Sequence, residues 1–384
     1  MQTLIWSLPL LLFSAVVIGW GAEIAAVHLS AGIALAILAW LQTAPEFAVE
    51  AVIAWSRNSE LVLANLTGSL RLLMGLGWPM IVFIHWYCSI GRAKKQNKPF
   101  KARAIILPPS LSVESGGLII SVLYFFTIWV KGTWTYIDGI ILVGLYVVYF
   151  WLLNRQRKIG LESPMETEDD AKGIVHSILK KPKGAQLFWG GVFFVVGGAI
   201  LVTTAHPFIE SLKAVSHSLG VSEFVFIQWV APIASEFPEK VTAFNWARKA
   251  NRVPMAIMNM LSSIVCQWTL FAGMVPILFS ISFGSRHDIV FTPFQETEIL
   301  LTVIQSAVAV LLLADLKIYF YEAFGLLALW LYQFFIPTSR EELIYIYLAW
   351  FAIELIRLLS NPKQCKAWIV IWKVLRLQKL DSKG

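Results

Sequence analysis

Long uncharged apolar runs recur along the chain, each about as long as the ~20 residues that carry a helix across a bilayer. They fall near 4–28, 31–56, 61–87, 104–130, 135–153, 187–209, 222–247, 254–282, 297–315, 318–336 and 343–360, which predicts about eleven transmembrane helices. Barrel strands would alternate apolar and polar positions over ~10 residues. These runs are continuously apolar and rich in Leu and Ala, so the expected fold class is all-α, a polytopic membrane protein. The long polar exception is 154–186, where Glu162, Glu166, Glu168, Asp169 and Asp170 precede Lys180, Lys181 and Lys183. Mixed charge of this kind reads as a solvated cytoplasmic linker. The first run has no basic start and no small-residue cleavage site, so it is expected to stay as a spanning helix.

Composition agrees: 58% of the 384 residues are hydrophobic and 14% charged, and the mean hydropathy is +0.69. The net charge of +7 is concentrated beside the runs, at Arg92, Lys94, Lys95, Lys98, Lys101 and Arg103, at Arg155, Arg157 and Lys158, at Arg248, Lys249 and Arg252, and in the tail from Lys363 to Lys383. Basic flanks mark the cytoplasmic side. That predicts an outer N-terminus and a cytoplasmic C-terminus in a plasma or inner membrane. The lipid bilayer is the expected partner, since these residues form no groove-reading or stacking motif for nucleic acid. The sequence names no protein partner. Cys88, Cys266 and Cys365 lie too far apart for a Cys-x-x-Cys site. His85 and His206 are isolated, and no metalloprotease or nucleophile–histidine pattern occurs, so neither an enzyme nor a cofactor is expected.

Against this background two acidic motifs stand out, because a charge inside a span costs roughly 2.5–3.5 kcal/mol on insertion scales. Gln42-Thr43-Ala44-Pro45-Glu46 is followed by Asn65-Leu66-Thr67-Gly68-Ser69, and Ser235-Glu236-Phe237-Pro238-Glu239 by Asn259-Met260-Leu261-Ser262-Ser263. Gly21-Ala22 matches Gly198-Ala199, and Gly139 with Tyr146 echoes Gly325 with Tyr332. The chain thus reads as one five-span unit written twice. An odd number of spans turns the second copy upside down, giving an inverted repeat with a site at the repeat interface. The expected organisation is a first repeat over 1–153, the linker over 154–186, a second repeat over 187–336, and an added span with a basic tail over 337–384.

Residues 1–336, the linker apart, resemble the cation/calcium exchanger superfamily. Leu219 to Val225, Glu236-Phe237-Pro238-Glu239 and Asn259 to Ser263 are similar to its second repeat. The resemblance implies that the glutamate after each proline, Glu46 and Glu239, coordinates a transported cation. It further implies a secondary antiporter, exchanging Ca²⁺ or a related cation for Na⁺ or H⁺ by alternating access. The residues suit that role independently, since Ca²⁺ takes six to eight oxygens from carboxylates mixed with neutral groups. Glu46 and Glu239 supply charge, while Thr43, Ser235, Ser69 and Ser263 add hydroxyls. Each proline also frees a backbone carbonyl one turn earlier, near Gln42 and Ser235.

The chain departs from the family pattern at several points. Leu73 and Gln267 stand where many members have Asn or Asp, and Glu236 brings an extra carboxylate to a ligand position. Arg71 should not face lipid, so it is expected either to pair with Glu46 or Glu50, as a counter-ion tethered in the site, or to snorkel to an interface. Lys240 reads as a mere neighbour of Glu239. The alternative function is a non-transporting or repurposed relative whose altered ligands no longer move ions; the bland one is a pair of kinked helices.

Overall fold

The computed structural model describes residues 2–28, 43–95, 104–158 and 173–376. In the first half, α1 (Gln2–Val27) and α2 (Ala44–Trp55) precede α3 (Ser59–Leu72), which continues through a π turn at Leu73–Gly77 into α4 (Trp78–Lys95). Strand β1 (Ala104–Ile106), α5 (Ser112–Lys131), β2 (Thr133–Trp134) and α6 (Tyr136–Lys158) complete it. After the short α7 (Gly173–Leu179), the order is repeated. It runs α8 (Lys183–Leu219), α9 (Glu223–Ser235), α10 (Phe237–Ala247) and α11 (Val253–Cys266), the last leading through a second π turn at Gln267–Phe271 into α12 (Ala272–Phe283). Then come β3 (Ile289–Val290), α13 (Pro293–Leu312), β4 (Lys317–Tyr319) and α14 (Phe320–Phe335). Two helices follow, α15 (Arg340–Ser360) and α16 (Lys366–Arg376).

The two halves are built antiparallel, and the short strands show it directly. β1, at the entry to α5, pairs antiparallel with β4, at the exit of α13, through Ala104 opposite Tyr319 and Ile106 opposite Lys317. β2, at the exit of α5, pairs with β3, at the entry to α13, through Thr133 opposite Val290. A ladder therefore closes each end of an α5–α13 pair that runs in opposite directions. The halves are knitted by close helix approaches. A Cβ at Gly139 of α6 would sit 2.6 Å from the Gly273 carbonyl of α12. Nearby, Phe125 packs on Trp134 and Trp268 with ring centroids 5.4 and 4.6 Å away.

Eight helices among the described residues are long and apolar enough to cross a membrane, and the protein is an integral, multi-pass membrane protein. The other three expected spans are met only by shorter helices. The span at 222–247 is divided at Glu236 into α9 and α10, because Pro238 cannot donate the backbone hydrogen bond that would carry the helix across. Of the span at 31–56, α2 is the described part, and it begins beside Pro45. The third is α14, of 16 residues. Conversely, α8 runs ten residues past the expected end at 209 and stops at Gly220, whose φ of 65° suits a helix terminus. Glu210 and Lys213, just past that expected end, pair with each other on its surface. Within the expected linker and tail, α7 packs Val175 and Ile178 on Ile24, and α16 buries Ala367, Val370 and Val374 while Arg155 donates to the Val374 and Leu375 carbonyls.

Candidate cation site

Both proline–glutamate motifs open helices in the interior of the protein. Glu46 lies in the first turn of α2 and Glu239 in the first turn of α10. At a helix start the unpaired N–H groups and the macrodipole favour negative charge, so each helix start is a favourable place for a buried carboxylate. Glu236 occupies the break between α9 and α10. Glu46 and Glu239 have no exposed surface and Glu236 is 1% exposed. The three acids form one electrostatic set, with Lys240 as its cation: Glu46 feels Glu236, Glu239 and Lys240, and Glu239 feels Glu236 and Lys240.

The two π turns aim the neutral partners. Each begins four residues after a motif serine, at Leu73 after Ser69 and at Gln267 after Ser263. The extra residue of a π turn shifts the helical register and is a recurrent feature of functional sites. Gln267 projects its Nε2 to Glu46 Oε2 at 2.8 Å and to Glu236 Oε1 at 3.4 Å. Across the repeat interface, the Ser69 hydroxyl donates to Glu236. The Lys240 ammonium, one helical turn on, forms an ion pair with the other Glu236 oxygen. Several buried oxygens then have no hydrogen-bond partner in the protein: Glu46 Oε1, both carboxylate oxygens of Glu239, Ser263 Oγ and Gln267 Oε1. Among the described residues no group of three or more His, Cys, Asp or Glu side chains is placed to hold a metal ion.

The geometry thus joins Glu46, Glu236 and Glu239 with Ser69 and Gln267, and brings Ser263 beside Glu239. Thr43 caps α2 and adjoins Cys266 on the same side. Gln42 lies outside the described residues. The Ser235 hydroxyl is turned back to its own helix, donating to the Ala231 carbonyl at 3.0 Å.

The expected pairing of Arg71 with Glu46 or Glu50 does not form. Arg71 is fully buried rather than snorkelling, and its guanidinium pairs with Glu298 of α13 while also contacting Thr67. The direction follows from helix geometry, since side chains lean toward the helix N-terminus, away from the π turn and the acids. Glu298 also accepts from Arg340 of α15 and, at 2.9 Å, from Gln228 of α9. Glu50, one turn beyond Glu46, accepts from Asn65 Nδ2 at 2.8 Å instead. Lys240, read as a bystander, is the cation that meets an acid of the set, and its i, i+4 spacing from Glu236 was the visible signal. Glu298 was overlooked because it stands at the very start of the apolar run expected over 297–315, where a charge reads as an interfacial flank.

A cavity of roughly 720 Å³ opens between α1, α4 and α10, with Glu23, Cys88, Arg92, Thr242 and Trp246 in its wall. Thr242, Asn245 and Trp246 of the wall share one face of α10, with Lys249 just beyond its end, and the same face one turn back carries Glu239.

Comparison with known proteins places this architecture. The protein family described as "Sodium/calcium exchanger protein" matches residues 1–154 and 189–338. The crystal structure of the H⁺/Ca²⁺ exchanger CAX is similar over 98% of this chain and 92% of that one, with a TM-score of 0.86 and 28% identity. The sodium–calcium exchanger NCX_Mj, soaked with Na⁺ and Sr²⁺, shares the fold at a TM-score of 0.52 and 18% identity, over 86% of this chain and 96% of that one. No curated protein sequence matches. With two inverted halves, acids at paired helix starts and a family match across both repeats, the chain belongs to the sodium/calcium exchanger family, whose members are secondary transporters of cations and not enzymes.

Proposed function

We propose that the protein exchanges Ca²⁺, or a closely related divalent cation, for H⁺ by alternating access at Glu46, Glu236 and Glu239, with oxygens from Ser69, Ser263, Thr43 and Gln267. The observation that carries this reading is the set of buried, unpartnered oxygens at two opposed helix starts. A hard cation that needs six to eight oxygens matches such a set far better than any neutral ligand would. Protons as counter-ions are supported by the likeness to the H⁺/Ca²⁺ exchanger CAX over nearly the whole chain. Chemistry points the same way, because carboxylates can take protons where the divalent ion leaves. Sodium is the competing counter-ion, and mixed oxygen ligands would accept it too.

Access runs through the cavity along α10. Its mouth lies among Arg92, Lys95, Arg248 and Lys249, and Arg92 donates to the Arg248 carbonyl at 2.9 Å, so the basic ends of α4 and α10 meet on one side. Basic flanks put that side in the cytoplasm, which makes this an inward-open arrangement with the C-terminus inside.

The test is ⁴⁵Ca uptake into proteoliposomes under an imposed proton gradient and, separately, a sodium gradient. Uptake driven by the proton gradient is expected, and Glu46→Gln or Glu239→Gln should each reduce it at least 100-fold. Strong uptake by the double variant would remove the site; uptake driven by sodium alone would replace the counter-ion.

A further inference from the structure

We propose that Lys240 is a built-in counter-cation that fixes the charge of the transport site at two negative units, so that one divalent ion exchanges for two monovalent ions with no net charge moved. This deepens the function proposed above and rests on it. Three features of the site support it. The first is contact: the Lys240 ammonium is ion-paired with a Glu236 oxygen, and its side chain is only 11% exposed. Its stem begins one turn from the acid on the same helix, so the pair is intramolecular and always available. The second is division of labour. One Glu236 oxygen is held by Lys240, the other accepts from Ser69 and, at 3.4 Å, from Gln267. Glu239 and one oxygen of Glu46, by contrast, have no partner. The lysine therefore satisfies one acid and leaves the other two for the cargo.

The third is the charge count. The electrostatic set holds Glu46, Glu236, Glu239 and Lys240. Glu50 stands outside it, one turn away and held by Asn65. Arg71 stands outside it too, held with Arg340 on Glu298, in a cluster that shares no hydrogen bond or ion pair with the set. Three carboxylates and one ammonium leave two negative charges. A single divalent cation neutralises them, and so do two protons or two sodium ions. In a low-dielectric interior an unbalanced unit charge is strongly unfavourable, so only those two loadings can cross the membrane easily. Without the lysine, the same acids would call for a third monovalent ion.

The experiment measures charge as well as flux. ⁴⁵Ca uptake by the intact protein in proteoliposomes is followed while potassium and valinomycin clamp the membrane potential between zero and about 100 mV of either sign. Wild-type uptake is expected to be independent of potential. Lys240→Met should become potential-dependent with about one charge moved per Ca²⁺, and Lys240→Arg should behave as wild type. Glu236→Gln combined with Lys240→Met removes one charge of each sign, and its remaining flux should again ignore the potential. Wild-type uptake that follows the potential overturns the proposal, even if the lysine variants do not fold. So does a Lys240→Met variant that stays independent of it. Failure of the function itself would look different: no wild-type Ca²⁺ uptake at any potential.

Discussion

At the scale of single residues, the buried Arg71–Glu298–Arg340 cluster and the cation site obey different rules. In the cluster every charge is held: Glu298 takes a guanidinium on each oxygen, and Gln228 adds a further donor. Removing one partner of a buried pair costs about 3–5 kcal/mol because it strands the other charge. Glu298→Gln would strand two guanidinium groups. Arg340→Gln would leave Arg71 on Glu298, and its side chain is 12% exposed, so water can compensate. Thermal unfolding in detergent should therefore show Glu298→Gln as the most destabilised variant, by at least about 3 kcal/mol on that scale, with Arg340→Gln the mildest and Arg71→Met between. Equal losses would show that the cluster is not a charge network. At the cation site only Glu236 has a cationic partner, Lys240, while both oxygens of Glu239 and one of Glu46 accept no hydrogen bond.

Among elements, α3 approaches α9 very closely, and Gly68 is the reason. A methyl group there would collide with the Gln228 backbone, so no larger residue lets the two helices close and bring Gln228 to Glu298. Gly68→Ala should lower the unfolding temperature and reduce flux. Gly144→Ala, in α6 with nothing within 4 Å of its added carbon, should be neutral or stabilising by about 0.5–1 kcal/mol. If both behave alike, the close approach does not matter. The duplicated motifs, the all-helical class and the inversion were legible because they are written in local spacing: a proline before each glutamate and an odd number of apolar runs. What could not be read depends on partners distant in sequence. Arg71 finds Glu298 across 227 positions, and β1 finds β4 only when the halves fold together. The π turns were hidden for another reason. Leu73 and Gln267 look like ordinary helical residues, and only packing decides that one extra residue enters the turn. Nor did hydropathy reveal α16, whose 11 residues are too few to stand out from a basic tail.

For the molecule as a whole, the two ends of the transport path are unlike. On the basic side a cavity opens beside α10, its wall reaching Thr242, one turn from Glu239. Toward the N-terminal end of α3, the tight α3–α9 contact and the Arg71–Glu298–Arg340 cluster tie α3, α9, α13 and α15 together. A transporter in this arrangement should admit reagents from one side of the membrane. Its own cysteines offer the probe, because Cys88 lines the cavity while Cys266 is buried beside Thr43 and the site acids. In a Cys365→Ser background, a membrane-impermeant maleimide should label Cys88 when applied to the basic side in inside-out vesicles, leaving Cys266 unmodified. Right-side-out vesicles should stay unlabelled. Thr242→Cys, one turn from Glu239 on the cavity face of α10, should give the same sidedness with Cys88 replaced by serine. Labelling from the opposite side would mean that the cavity is the outer mouth, and the assignment of the basic flanks to the cytoplasm would be reversed with it.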